Sequence, residues 1–140
     1  MDCLFCGIVR GDVPAQVFYE DESCVAILDI EPLAPGHALI LPRRHSSNIL
    51  EVAAEDLGPI FQGVQKAIAV LRDGLSPDGF TIGINHGRVS GQTVEHLHIH
   101  AIPRWNDDGG GSLHAVVNNP PRESLEEIRK KLKFIKKVDN

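Results

Sequence analysis

The chain has 140 residues, of which 42% are hydrophobic and 24% charged, with a formal net charge of -5 at pH 7. That length suits one domain with a real core, and the acidic balance argues against general affinity for nucleic acid. No apolar run approaches the roughly 20 residues that a membrane-spanning helix needs, so no membrane partner is expected.

Met1-Asp2-Cys3-Leu4-Phe5-Cys6 has no basic region followed by an apolar segment, so no secretory leader is expected and the expected compartment is the cytoplasm. The three cysteines are an odd count. Two are spaced Cys3-x-x-Cys6, which in a cytosolic chain suggests a metal or redox pair more than a structural disulfide. Residues 3–10 read as a short helix, ended by Gly11-Asp12-Val13-Pro14. A first strand is predicted over 16–20, a second over 24–30 and a third over 37–42, closed by Pro42. From 53 to 75 the apolar period lengthens: Leu57, Ile60, Phe61, Val64, Ile68 and Leu71 form the stripe of an amphipathic helix. Gly63 weakens that helix without ending it. Ser76-Pro77-Asp78-Gly79 is a turn, 80–85 a fourth strand and 94–102 a fifth, stopped by Pro103. A further short strand is predicted over 113–117. A final helix after Pro120-Pro121 carries Leu125, Ile128, Leu132 and Ile135 on one side and a lysine-rich end. Strands, a long helix, two strands and a helix, with short strand connections, predict an α+β domain with a sheet of about five antiparallel strands. One domain is expected over 1–140, its core about 3–105 and its C-terminal loop and helix about 106–140.

The chemistry concentrates in Glu95-His96-Leu97-His98-Ile99-His100-Ala101-Ile102. On a strand, His96, His98 and His100 share one face while Leu97, Ile99 and Ala101 point into a core. Three aligned imidazoles exceed what packing needs. They fit either a catalytic metal site or phosphoryl chemistry, in which a neutral imidazole attacks phosphorus while its other nitrogen donates to a carbonyl. His98, central in the row, is best placed for attack. The polar loop of Asn85 and Gly91-Gln92-Thr93 delivers the chain into this strand and can offer N–H groups to an anion. Cys24, mid-strand, reads as a small buried hydrophobe.

The pattern His96-φ-His98-φ-His100-φ-φ, with φ apolar, resembles the histidine triad (HIT) family of nucleotide hydrolases and transferases. The resemblance extends to the Cys-x-Phe-Cys-x-Ile opening, Asp29-Ile30-x-Pro32, Ala34-Pro35-Gly36-His37, Asn85 and Gly91-Gln92-Thr93-Val94, in order over about the first hundred residues. It implies a HIT-like α+β fold and hydrolysis at the α-phosphate of a nucleoside 5'-phosphate derivative. His98 would form a covalent nucleotidyl-histidine that water resolves to a nucleoside monophosphate. His100, Asn85, Gly91, Gln92 and Thr93 would cradle the phosphate, and His37 would support the cluster. Asp29 would accept from the ribose hydroxyls, and Leu4, Phe5, Ile8, Ile27, Leu28 and Ile30 would line the pocket of a purine nucleotide. The resemblance also implies a structural zinc at Cys3, Cys6, His45 and His96, with no organic cofactor, the other reading being free thiols and a His96 at the phosphate. A homodimer joined into a ten-stranded sheet is expected on the same ground. Pro103-Arg104 continues as in members acting on dinucleoside polyphosphates, while the opening resembles phosphoramidate hydrolases, so both substrate classes are expected. The rival readings are a nucleotidyltransferase or phosphorylase of the same family, and a nucleotide-binding regulatory protein.

Overall fold

Runs rich in branched and apolar residues build five strands: β1 Val17–Glu20, β2 Cys24–Leu28, β3 Ala38–Pro42, β4 Gly79–Gly83 and β5 Ile99–Arg104. The structure is a computed structural model and describes residues 3–138; Met1, Asp2, Asp139 and Asn140, the ends of the expected domain, lie outside the described residues. The strands form one sheet in the order β1-β2-β3-β5-β4, and every neighbouring pair is antiparallel. The helices are α1 Leu4–Arg10, α2 Ala54–Leu75 and α3 Leu125–Lys131. The architecture is therefore the expected α+β arrangement. No helix among the described residues is long and apolar enough to cross a membrane.

The chain divides into two units, 1–110 and 111–140. In the first, side-chain alternation gives the sheet two unlike faces. Cys24, Ala26, Ala38, Ile40, Ile99 and Ala101 turn to one face, joined there by Leu97 and covered by Ile60, Val64, Ala67 and Leu71 of α2. Gly63 is where helix and sheet come closest: a Cβ built there would lie 2.3 Å from Cys24 Sγ. Glycine costs a helix interior about 1 kcal/mol relative to alanine, and here the missing side chain lets α2 lie down on β2. Cys24 is the expected buried hydrophobe, and burial pushes its thiol up to about 12, so it stays neutral. On the other face Val25, Ile27, Leu39 and Leu41 pack against Phe5 of α1.

Several boundaries differ from expectation, for backbone reasons. Asp29 N–H donates to His37 O and Arg43 N–H to Ser23 O, so the odd residues of β3 face β2 and the even ones face β5. Pro42 faces β5 and has no N–H to give. The ladder therefore stops at Ile40 opposite Ile99, and β5 starts at Ile99 instead of 94. At the other end Pro103 does not stop the strand. Its nitrogen points past Ala38, the first residue of β3, so no ladder bond is lost, and β5 continues to Arg104 opposite Gly79. β2 ends at Leu28, β3 begins at Ala38 and β4 ends at Gly83, each short of the predicted span.

In the second unit the predicted strand over 113–117 is a single 3-10 turn, Leu113–Ala115. The final helix stops at Lys131, leaving Leu132 and Ile135 outside it and exposed. A Ser124–Glu127 capping box starts α3, but no residue of the helix is buried, so nothing propagates it further.

Candidate active site

Leu97 and Ile99 are buried toward α2, so His98 and His100 point to the opposite face. His100 lies opposite Leu39 of β3, on the same face as His37. The His98 and His100 rings sit 5.1 Å apart, and the His37 and His100 rings 5.2 Å. His96 is turned aside to the cysteines, so the three triad rings do not act as one row.

Hydrogen bonds fix the proton on each ring. Leu33 N–H donates to His37 Nδ1 at 3.0 Å. Neutral His37 then carries its proton on Nε2 and donates it to His100 Nδ1 at 2.9 Å. His100 in turn carries its proton on Nε2, a buried atom with no hydrogen-bond partner among the described residues. Burial pushes the His100 pKa down to about 4, helped by the neighbouring His98 and His37 and opposed by Asp29. Burial also lowers that of His37, again against Asp29. Both are neutral at pH 7. His98 is arranged oppositely: its Nδ1–H donates to the His96 carbonyl at 2.8 Å, which leaves the Nε2 lone pair bare. The edge-to-face ring of Phe5, 5.0 Å away, holds His98 from the α1 side. A bare lone pair beside an N–H has the chemistry to act as a nucleophile beside an anion donor.

The loop after β4 corrects two expectations. Gln92 is buried and spends its side chain on the loop: Oε1 accepts Gly87 N–H, and Nε2 donates to the Ser47 and Val94 carbonyls. The backbone N–H groups of Gly91 and Gln92 go to the Arg88 and Gly87 carbonyls. Gly91 and Gln92 therefore shape the loop and have no donor left to cradle a phosphate. Gly91 has φ +103°, and a Cβ there would lie 3.6 Å from Asn85 Nδ2, so glycine serves both backbone and fit. Asn85 and the exposed Thr93 keep their side chains uncommitted among the described residues.

Asp29 is mostly buried, with Oδ2 3.5 Å from His37 Nε2 and Oδ1 accepting Glu31 N–H. Phe5 and Ile27 are buried and Ile8 half-buried in the apolar cluster on the histidine side of the sheet. Leu4 is half-exposed, and Ile30, 94% exposed, stands free in the loop beyond β2. Leu28 is not part of this wall. It lies opposite Ala38, whose side chain faces α2, so alternation turns it to the other side of the sheet. Arg104 forks onto both oxygens of Asp108 and donates to Thr81.

Cys3, Cys6, His45 and His96 converge at the end of α1, with all four donor atoms within 4.8 Å of one another. His96 Nε2–H donates to the Pro42 carbonyl, so its lone pair is on Nδ1. That atom lies 3.5 Å from each sulfur and 3.2 Å from His45 Nδ1, and Cys6 Sγ lies 3.3 Å from His45 Nδ1. Neighbouring donors around a tetrahedral zinc are about 3.3–3.8 Å apart for the usual Zn–S and Zn–N lengths. The four side chains form a group that fits such a metal. A second convergence, Asp29, His37 and His100, does not fit one. His37 Nε2, the atom a cation needs there, carries the proton that Leu33 assigns to it.

Leu33 N–H and the Pro42 and Ser47 carbonyls are the contributors that sequence reasoning missed. They are main-chain groups with no side-chain signature.

Residues 10–107 match the family model of the HIT domain. An uncharacterized HIT-like protein of Methanocaldococcus jannaschii is 41% identical over 131 residues, covering 94% of this chain and 98% of that one. An adenosine 5'-monophosphoramidase of Schizosaccharomyces pombe is 37% identical over 113 residues, covering 79% and 80%. Among solved structures, a Zn-bound histidine triad family protein from Mycobacterium smegmatis superposes with a TM-score of 0.72 at 36% identity, covering 92% and 89%. The chain belongs to the HIT family.

The buried histidines make stability depend on pH. Unfolded histidine takes up a proton near pH 6.5, whereas folded His37, His96 and His100 resist it, His100 down to about 4. Stability is full above about pH 6.5 and falls as the pH drops toward the folded values, by up to ~1.4 kcal/mol per pH unit for each such histidine. Urea unfolding at a series of pH values is expected to show this fall, and His100→Asn to make it shallower between about pH 6.5 and 4. An equally steep fall in the variant would show that His100 is not held neutral by the fold.

Proposed function

We propose that the protein is a nucleotide hydrolase that cleaves at the α-phosphate of nucleoside 5'-phosphate derivatives through a covalent nucleotidyl-histidine. The observation that carries this reading is the opposed proton order of two adjacent rings: His98 with a bare Nε2 and His100 with an unpartnered Nε2–H. In the first step the His98 Nε2 lone pair forms the N–P bond. The bond from phosphorus to the leaving group breaks, and its electron pair departs with that group. An amine leaving group takes a proton from solvent water as it goes, whereas a phosphate or other acidic oxyanion leaves without one. His100 Nε2–H, the Asn85 amide and the Thr93 hydroxyl meet the phosphoryl oxygens as charge builds on them. Water then adds to phosphorus and gives up a proton to the bulk solvent, and the N–P electron pair returns to His98. His37 acts by holding His100 in its donor tautomer. Asp29 accepts from the ribose hydroxyls, and Leu4, Phe5, Ile8, Ile27 and Ile30 wall the base and sugar of a purine nucleotide. The name of the Schizosaccharomyces pombe relative, an adenosine 5'-monophosphoramidase, supports this substrate class.

We propose zinc as the metal of the Cys3, Cys6, His45 and His96 group. Bound there, the ion would supply a tetrahedral cross-link between α1 and the sheet, away from the reacting atoms. The donor spacing and the Zn-bound Mycobacterium smegmatis relative support it. We also propose a homodimer formed through β4 and α2. β4 is an edge strand of the sheet, and beside it an apolar groove is lined by Phe61, Ile68 and Ile82. A second copy pairing edge to edge would bury both.

His98→Ala is expected to lower turnover of adenosine 5'-phosphoramidate by roughly a thousandfold or more while nucleotide affinity changes little. Near-wild-type turnover in that variant would remove His98 as the nucleophile. Metal analysis of the purified protein should return one zinc per chain, and Cys3→Ser should lose it and melt about 4 °C lower or more. A metal-free wild type would sink the zinc assignment. Light scattering should give twice the chain mass, and Ile82→Glu about once; a monomeric wild type rules out the dimer.

A further inference from the structure

We propose that Cys3 and Cys6 are positioning residues for His98, and that peroxide, by oxidising them to a disulfide, loosens that ring and slows the reaction. This inference rests on the nucleotidyl-histidine reaction and the metal group proposed above.

β3 and β5 are paired only as far as Ile40 and Ile99. Past that point the two segments are joined by other means. The Pro42 carbonyl accepts His96 Nε2–H at 2.9 Å, the Ser46 carbonyl accepts Leu97 N–H at 2.7 Å, and His45 meets His96 in the metal group. The peptide between His96 and Leu97 lies at the centre of these contacts. Its N–H goes to Ser46, and its carbonyl takes His98 Nδ1–H at 2.8 Å. That carbonyl keeps the His98 proton on Nδ1 and the lone pair on Nε2. The peptide is thus anchored at one end by His96 and at the other by the residue that follows His45. The cysteines reach both histidines: His96 Nδ1 lies 3.5 Å from each sulfur, and His45 Nδ1 lies 3.3 Å from Cys6 Sγ. Phe5, between the two cysteines in the chain, adds a restraint from α1, edge to face with His96 at 6.0 Å and with His98 at 5.0 Å.

The same pair is open to oxidation. The two sulfurs lie within 4.8 Å of each other, and Cys6 N–H donates to Cys3 Sγ at 3.4 Å. Both cysteines are half-buried and His45 is exposed, so the group opens to solvent on that side. Cys24, the third cysteine, is buried beneath α2 and takes no part.

One sulfur attacks a peroxide oxygen, the O–O bond breaks, and a sulfenic acid forms as the first water leaves. The second sulfur attacks the sulfenic sulfur, the S–S bond forms, and its oxygen departs as a second water. The sulfurs give up two electrons. The two protons come from the thiols, or from solvent where the sulfurs are metal-bound thiolates. A disulfide is neither a thiolate ligand nor a proton donor, so the metal group falls to two ligands and His96 Nδ1 loses its partners on α1. The His96 ring then has no tie on that side, and its carbonyl no longer holds His98 in one tautomer.

The test treats the purified protein with hydrogen peroxide. It follows free thiols, released zinc, kcat for adenosine 5'-phosphoramidate, nucleotide affinity, and the His98 tautomer by long-range proton–nitrogen NMR. Two of the three thiols should disappear as the metal is released. kcat should fall roughly tenfold or more while nucleotide affinity changes little. His98 should pass from a single Nδ1–H tautomer to a mixture, and a dithiol reductant with zinc should restore both. Stripping the metal with a chelator, the thiols kept reduced, should shift the tautomer the same way. A His98 that stays Nδ1–H, with kcat within about twofold, in oxidised or metal-free protein overturns the inference and leaves the hydrolase reading intact. So does a cysteine pair that peroxide leaves reduced, or a loss that the reductant and zinc do not reverse. Failure of the untreated, zinc-loaded protein to cleave the phosphoramidate overturns both.

Discussion

One hydrogen bond from the main chain, Leu33 N–H to His37 Nδ1, decides where the protons of the site lie. It forces the His37 proton onto Nε2, that proton occupies His100 Nδ1, and the His100 proton is left pointing at nothing. Two buried imidazoles are thereby joined without a charge between them. Burial keeps them so, since a cation there would lose its hydration, and that loss outweighs the opposing pull of Asp29, 3.5 Å from His37. The loop that carries Leu33 contains Pro32, Pro35 and Gly36, the last at φ +81°. What reads as a mere connection between β2 and β3 thus sets the protonation of a ring two strands away.

His96 is the second pivot, and each of its polar groups does a different job. Nε2–H ties it to the Pro42 carbonyl, Nδ1 faces the two thiols and His45, and its own carbonyl orients His98. The proposed metal group and the proposed nucleophile therefore share one residue without sharing an atom. The arrangement separates two demands that would otherwise conflict. A metal ligand must be rigid and saturated, whereas a nucleophile must keep a lone pair open. Phe5 reinforces the link, since its ring lies against both His96 and His98 and belongs to the helix that carries Cys3 and Cys6.

The alternation of His96, His98 and His100 with Leu97, Ile99 and Ala101 announced a two-faced segment, and the side chains divide that way even though only Ile99 onward is a strand. The α2 stripe was equally legible, because Ile60, Val64 and Leu71 follow the helical period and are buried. The cysteine pair pointed to a metal through its spacing, and the four donors do converge. Other features were hidden for physical reasons. Gln92 was expected at the phosphate on the family resemblance, yet its amide is used up by carbonyls of Ser47 and Val94, groups every residue carries. Leu28 was expected in the wall on the same resemblance, but it adjoins Ile27 on a strand, where neighbours face opposite ways. Leu125 to Ile135 kept a helical apolar period with no surface to pack on, and periodicity cannot report a missing partner.

Pro42 shows how little sequence is needed to turn a sheet into a site. Had residue 42 an N–H, the ladder between β3 and β5 would continue from Ile40–Ile99 to the pair of residues 42 and 97. The N–H and carbonyl of Leu97 would then be consumed by strand pairing. Because proline cannot donate, the chain leaves the sheet there. Leu97 N–H goes to the Ser46 carbonyl, the Pro42 carbonyl takes His96 Nε2–H, and the His96 carbonyl is free to accept from His98. The energetic cost is one ladder bond, a net of about 1 kcal/mol. In exchange, main-chain groups that would have held strand to strand hold two imidazoles in defined tautomers. A proline thus ends one strand where the histidines begin its partner, and the His96 carbonyl there accepts from His98 Nδ1–H.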